Sequence, residues 1–260
     1  MAETLKELLD FTNEIAWQAG KITLRYFQTG LAADYKADAS PVTVADRQSE
    51  ASLRAAITAR FPHHAIIGEE EGASGDPGAE YRWVLDPIDG TKAFVRGVPL
   101  YGVLVGLLRG NDPVVGVVHL PALNETVYAA KGLGCYWNGR PCRVSPVRSL
   151  DQALLTGTIN VGYEPYGYAD AFARLVARAN MIRTWGDSYA YVLVATGRAE
   201  IAIDPQMNLW DAAPLLPILQ EAGGTYTDWK GNATVEGGEG LATNGYLLEE
   251  VLALIRKDAA

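Results

Sequence analysis

Apolar residues recur at three- and four-residue steps through Leu5, Leu8, Leu9, Ile15, Ala16, Ala19, Ile22 and Tyr26, which predicts a long amphipathic helix over residues 3–28, ending near Gly30. A polar stretch from Asp34 to Thr43 follows, and Ala45, Leu53, Ala56, Ile57 and Phe61 predict a second helix, closed by Pro62. Ala65-Ile66-Ile67 and Trp83-Val84-Leu85 are short apolar runs that read as strands, each delivering acidic residues at its C-terminal end. Tyr101 to Leu108 and Val114 to Leu120 are longer, β-branched runs separated by Arg109-Gly110-Asn111-Asp112-Pro113, a hairpin signature. Further strands are predicted over Glu125–Ala130 and Gly134–Trp137, and after an Asn138-Gly139 turn over Cys142–Ser145.

Beyond about residue 150 the pattern alternates: strand Ala153–Asn160, helix near Tyr168–Ala179, strand Met181–Thr184, helix Ser188–Thr196 stopped by Gly197, and strand Ala199–Ile203. A further helix, bracketing that strand on its other side, is predicted from Asp211 to Ala222, stopped by Gly223-Gly224. The order is α+β over residues 1–147 and α/β-like over 148–260, with no linker between them, so two packed lobes forming one structural unit are expected.

The chain has 260 residues, 48% of them hydrophobic and 20% charged, enough to bury a substantial core. Its net charge of −9 argues against nucleic-acid or anionic-membrane partners, which select basic patches. No apolar run reaches the ~18 residues of a membrane span, and the start lacks the pattern of a signal peptide, so a cytoplasmic protein is expected. Cys135 and Cys142 have no histidine nearby to complete a zinc set and read as reduced structural thiols.

Candidate chemistry lies in three acidic clusters. In Asp86-Pro87-Ile88-Asp89-Gly90-Thr91, Pro87 holds Asp86 extended and Gly90 permits a tight turn, so the two carboxylates can converge. If Gly90-Thr91 opens a helix through Phe94, its free N–H groups would cradle a phosphate; Asp86 and Asp89 as mere helix caps is the alternative. Gly68-Glu69-Glu70-Glu71-Gly72 follows a buried strand, and could otherwise be a solvated loop. Asp211 could be the N-cap of its helix while keeping one carboxylate oxygen for a metal. Hard oxygen donors of this kind suit Mg²⁺, which joins carboxylates to phosphate oxygens and can invert the field of an acidic cleft.

Taken together, the chain resembles the inositol monophosphatase family of Mg²⁺-dependent, lithium-sensitive-type sugar phosphatases over nearly its whole length: Lys36 through Asp46, Gly68-Glu69-Glu70, Asp86 to Thr91, the Gly139 region and Trp210 to Gly224. Arg183 to Tyr191, Asp204 to Ala213 and Thr227 to Gly231 look most like its histidinol-phosphate phosphatase branch. So does Gly90-Thr91-Lys92-Ala93-Phe94, where inositol-specific members tend to carry Thr and Asn in place of Lys92 and Ala93. Ser188, Ala190, Pro214 and Pro217 depart from the family pattern.

The resemblance implies a layered α-β-α-β-α sandwich of the inositol monophosphatase and fructose-1,6-bisphosphatase type, usually a homodimer, acting on a small phosphorylated substrate with two or three Mg²⁺ ions. It implies one ion on Glu69, Asp86 and the Ile88 carbonyl, and a second on Asp86, Asp89 and Asp211. An activated water would be oriented by Thr91 with Asp46 behind it, and Glu70 would assist. Phosphate would meet the amides of Gly90 and Thr91, with Lys36 near the metals. Asp204, Asp187 and Ser188 would line the wall facing the alcohol, and Arg183 would contact phosphate or brace the dimer. Helix N-capping is the alternative role for Asp187. His63, His64 and His119 fall outside these motifs. The expected reaction is hydrolysis of L-histidinol phosphate in histidine biosynthesis; inositol 1-phosphate or broader sugar-phosphate hydrolysis is the alternative, and a catalytically silent metal-binding regulator a third reading.

Overall fold

The computed structural model describes residues 3–36, 41–158 and 166–256. Residues 37–40 of the polar stretch and the end of the strand expected over 153–160 lie outside them. The chain opens with α1 (Leu5–Leu24), started by a capping box in which Thr4 and Glu7 satisfy each other's backbone N–H. A small ribbon of β1 (Asp34–Tyr35) and β2 (Pro41–Val42) leads to α2 (Val44–Arg60), started in the same way by Thr43 and Asp46.

Next come β3 (Ala65–Gly68), β4 (Gly72–Ser74), β5 (Tyr81–Asp89), the single turn α3 (Thr91–Phe94), β6 (Gly102–Arg109), β7 (Asp112–Leu120), β8 (Glu125–Ala130), β9 (Gly134–Trp137) and β10 (Arg140–Pro141). These strands form an eight-stranded sheet in the order β10-β9-β8-β7-β6-β5-β3-β4, antiparallel except where β3 runs parallel to β5. The strand expected at Cys142–Ser145 is a correction. Pairing is at Arg140–Pro141, and the chain then leaves the sheet, with Val144 donating to the Ala222 carbonyl. Cys135 and Cys142 are free thiols whose sulfurs lie 3.4 Å apart.

The second half supplies β11 (Leu154–Gly157), α4 (Ala169–Val176), β12 (Met181–Arg183), α5 (Asp187–Ala195), β13 (Ile201–Asp204), α6 (Leu209–Ala212), α7 (Leu215–Glu221), β14 (Thr225–Thr227), β15 (Gly240–Thr243) and α8 (Leu248–Ile255). Its five-stranded sheet has the order β12-β11-β13-β15-β14.

The layers follow from which face each side chain serves. Val103, Val105 and Leu107 of β6 and Val115 and Val117 of β7 pack with Leu8, Ile15, Leu53 and Ile57 of α1 and α2. Their neighbours Leu104 and Val118 point the other way, into a middle layer of α5 and α7 that also receives Ala202 and Ala242 from the smaller sheet. Ile201, Ile203 and Leu241 face outward onto Leu175 of α4 and Val251 and Leu252 of α8. The result is the expected α-β-α-β-α sandwich. Both sheets are covered on both faces, which is why their strands read as unbroken apolar runs without alternation.

The helix expected from Asp211 to Ala222 is divided into two, because Pro214 lacks an amide donor and the hydrogen-bond ladder lapses there while Ala213 and Pro214 keep helical backbone angles. The break is used for packing. Gly106 and Gly116 are cross-strand partners on β6 and β7, and Cβ atoms at those positions would run into Ala213 and Pro214. Two bare positions side by side thus let the α6–α7 break sit directly on the sheet, carrying Asp211 with it.

Gly116→Ala is therefore expected to destabilise the fold by about 1–3 kcal/mol, the usual cost of overpacking. A lower urea midpoint measures this; an unchanged midpoint would mean that the break yields freely.

Candidate metal and phosphate site

Glu69 and Asp86 leave the C-terminal ends of two adjacent parallel strands, where ligand clefts in α/β sheets tend to open. Gly68 pairs with Leu85, and the Glu69 N–H continues the ladder by donating to the Leu85 carbonyl at 3.1 Å. Asp86 and Asp89 are three apart, so in a regular strand they would point to opposite faces. The register against β6 shifts between them, Asp86 lying opposite Leu104 and Asp89 opposite Gly102. Three steps on β5 answer two on β6, and this bulge returns both carboxylates to one side. Asp86 Oδ1 accepts the Ile88 N–H at 3.0 Å, and Thr91 Oγ1 donates to the Ile88 carbonyl at 2.9 Å. Gly90, at φ 78°, makes the left-handed turn into α3.

Asp211 arrives from the other half. It is the third residue of the α6 capping box rather than the N-cap: Asn208 holds that place, and its N–H donates to Asp211 Oδ2 at 2.7 Å. The Asn-x-x-Asp spacing was visible in the chain. One oxygen each from Asp86, Asp89 and Asp211 lie within 4.8 Å of one another.

The inner wall comes from α5. The Ser188 N–H donates to Asp89 Oδ2 at 2.6 Å, so the start of this helix is capped from another lobe of the chain. Gly186 is the N-cap, and no side chain caps the helix locally, which corrects the capping alternative for Asp187. Asp187 instead sits at φ 53° with its carboxylate against Gly90. Asp204, at the end of β13, accepts the Thr158 N–H at 3.0 Å through Oδ1 and is also approached by the Tyr191 hydroxyl, while the Ser188 Oγ is buried without a hydrogen-bond partner.

The cleft has a volume of about 650 Å³ and is lined by Lys36, Glu69, Asp86, Ile88, Asp89, Gly90, Thr91, Asp187 and Asp211. An inner chamber of about 80 Å³ between Asp89, Asp187, Asp204 and Asp211 adjoins it. Gln206 lines both spaces and Met207 the inner one; both fall in the Asp204–Ala213 stretch that carries the family resemblance, which gives neither a role of its own. Lys36 Nζ donates to Glu69 and Glu70 at 2.8 Å each.

Two expected residues behave otherwise. Arg183 is exposed on the edge strand β12, donates to the Ile182 carbonyl and does not line the cleft. Asp46 is buried, with Oδ2 taken by the N–H and hydroxyl of Thr43; its Oδ1 has no hydrogen-bond partner, and Thr91 donates to Ile88 rather than to it.

The electrostatics are one-sided. Burial pushes the Asp89 carboxyl up to about 7, with the Asp187 charge adding to it. Asp211 rises to about 7 by burial and then by the Asp89 charge. Asp187 reaches about 7 by burial and the Asp204 charge, and Asp204 about 7 by burial despite the Thr158 contact. Asp86 lies well above the carboxylate range through burial, Glu69 and Asp89. Among the described residues no ion pair reaches Asp86, Asp89 or Asp211, because Lys36 is engaged with Glu69 and Glu70. Clustered hard oxygens that repel one another and lack a cationic partner fit a divalent cation.

The inositol monophosphatase family profile matches residues 4–259. This chain belongs to the inositol monophosphatase family. As such it is a phosphoric monoester hydrolase of a metal-dependent family. It is 40% identical to the histidinol-phosphatase of Chlorobaculum parvum over 238 residues, covering 90% of this chain and 91% of that protein. It is also 40% identical to the histidinol-phosphatase of Mycobacterium tuberculosis over 244 residues, covering 92% and 94%. The solved structure of an inositol monophosphatase from Zymomonas mobilis superposes with a TM-score of 0.87 at 30% identity, covering 98% of this chain and all of that one. No helix among the described residues is long and apolar enough to cross a membrane.

Since Asp89, Asp187, Asp204 and Asp211 move from 3.8 to about 7, the folded protein holds protons between about pH 4 and 7 that the unfolded chain has released. Metal-free stability should therefore fall as pH rises through that window. A cation needs the ionised form, so the rise in Tm on adding Mg²⁺ should be small at pH 5 and large at pH 8. Thermal melts with Mg²⁺ or with chelator test this; an increment independent of pH would contradict it.

Proposed function

We propose that this protein is a Mg²⁺-dependent phosphomonoesterase that hydrolyses L-histidinol phosphate to L-histidinol and phosphate. The observation that carries the substrate assignment is the acidic inner chamber, where Asp89, Asp187, Asp204 and Asp211 converge with no cationic side chain among the described residues of the lining. A cationic amino alcohol relieves that charge, whereas neutral inositol would leave it unanswered. The identity to two histidinol-phosphatases supports the same reading.

Glu69, Asp86 and the Ile88 carbonyl would hold one Mg²⁺, and Asp86, Asp89 and Asp211 a second. Bound there, the ions supply positive charge to the phosphate oxygens and acidify water for in-line attack. Thr91 has one proton to donate and spends it on the Ile88 carbonyl, so its oxygen turns only acceptor sites to the cleft and orients a water by taking its hydrogen. Glu70, which burial lifts to about 7 beside Lys36, is poised to take up a proton near neutral pH. The first amides of α3, at Gly90 and Thr91, have no intrahelical acceptor and receive the phosphate.

In this reading residues 1–147 bring most of the metal ligands and 148–260 bring Asp211 and the alcohol-selecting wall. The enzyme acts as a cytoplasmic homodimer. Inositol 1-phosphate is the second reading, favoured by the likeness to the Zymomonas mobilis inositol monophosphatase.

Comparing kcat/KM for the two substrates decides between them, with histidinol phosphate expected to be strongly preferred. Asp204→Asn should cost histidinol phosphate about 2 kcal/mol or more, roughly 30-fold in kcat/KM, with little loss for inositol 1-phosphate. Equal losses for both would remove the charge-selection argument.

A further inference from the structure

Glu50 on α2 is completely shielded from solvent, and its carboxylate reaches beyond its own helix to the turn after β3 without lining the cleft. It accepts the backbone N–H of Glu70 at 2.8 Å through Oε2 and that of Glu71 at 3.1 Å through Oε1. Arg54, one helical turn on, donates from Nε to Glu50 Oε1 at 2.8 Å, from Nη1 to Ser74 Oγ at 2.9 Å and from Nη2 to the Gly72 carbonyl. Gly68 completes the arrangement, since a Cβ there would collide with the Glu50 carboxylate.

Three consecutive amides are thereby held from two sides: Glu69 by the Leu85 carbonyl on β5, Glu70 and Glu71 by Glu50 on α2. Side chains on a turn with every amide anchored have little backbone freedom left. A buried ion pair is an expensive way to secure an ordinary surface turn. This turn presents Glu69 to Asp86 and Glu70 to Lys36.

We propose that the Glu50–Arg54 pair positions the metal site, holding the turn after β3 so that Glu69 is already aimed at the Asp86–Asp89–Asp211 cluster before a cation enters. This rests on the reading of Glu69 as a metal ligand. Glu50 touches neither ion nor substrate; it acts through the backbone of its neighbours, as supporting groups around metal ligands do. Loss of the clamp lets the Glu69–Lys36 pair swing away from the cluster, and cation binding must then supply the ordering itself.

Mn²⁺ binding to the full chain, followed by the electron paramagnetic resonance signal of free Mn²⁺, tests this without reference to turnover. Glu50→Gln, which sets an amide N–H₂ against one of the two backbone donors, should raise the Mn²⁺ Kd by roughly 10-fold or more. Arg54→Met should raise it too, and this variant separates positioning from charge. Removing a positive group near an acidic cleft would by electrostatics alone tighten binding. Arg54→Lys, which keeps the ion pair but cannot fork to Gly72 and Ser74, should fall between Arg54→Met and wild type. Tighter binding in Arg54→Met, or a lowered metal-free Tm with unchanged Kd in both main variants, overturns the proposal. Failure of the wild-type protein to bind Mn²⁺ would overturn the metal reading beneath it.

Discussion

Negative charge held away from water is the condition around which this molecule is organised. Asp86, Asp89 and Asp211 bring an oxygen each to within 4.8 Å of the others, and Asp187 and Asp204 extend the charge inward. Without a cation, such a cluster is tolerable only because its members hold protons up to about neutral pH. The site is thus a standing cost to the fold, and the double-covered sheets on either side supply the burial that outweighs it. Lys36 relieves only the outer pair, Glu69 and Glu70, so the inner acids keep their demand for a divalent ion.

The fold meets that condition with a few local irregularities in regular elements. A bulge in β5 gives Asp86 and Asp89 the same face. The paired glycines 106 and 116 let the break at Pro214 sit on the sheet and bring Asp211 over it. The start of α5 is capped by Asp89 and not by any side chain of its own, which ties the inner wall of the cleft directly to a proposed ligand. Each irregularity sits where two layers meet, so a change in packing at any one of them would reach the cluster.

Much of the architecture was legible because local physics dictates it. The periodicity of α1 and α2, the hairpin of β6 and β7 and the glycine stop after α7 follow from side-chain faces and turn chemistry. Beyond Gly224 no element is expected from the sequence, yet β14, β15 and α8 form there; the other misjudged points are ones where a neighbour decides. Cys142–Ser145 has strand-like composition but keeps only the bond from Cys142 to Cys135 on β9 before it leaves the sheet, and Pro214 splits a helix that apolar spacing alone would have continued. Arg183 shares a motif with Asp187 yet lies on an exposed sheet edge, since adjacent residues at the end of a strand need not share a destination. Glu50 carried no signal, and Gln206 only its place in the Asp204–Ala213 stretch. A buried glutamate on a helix face and a loop glutamine resemble their solvated counterparts until the partner segments are known.

The sequence by itself determined the family, the kind and order of the longer elements up to about residue 222, and which acids end strands or open helices, because those depend on side chains a few positions apart. Only the tertiary structure decided that those acids meet. Whether two carboxylates on one strand share a face depends on a register slip against β6, and whether Asp211 reaches them depends on the two glycines beneath Pro214. Such pairings are settled by contact energies between segments distant along the chain, which no short stretch of residues contains.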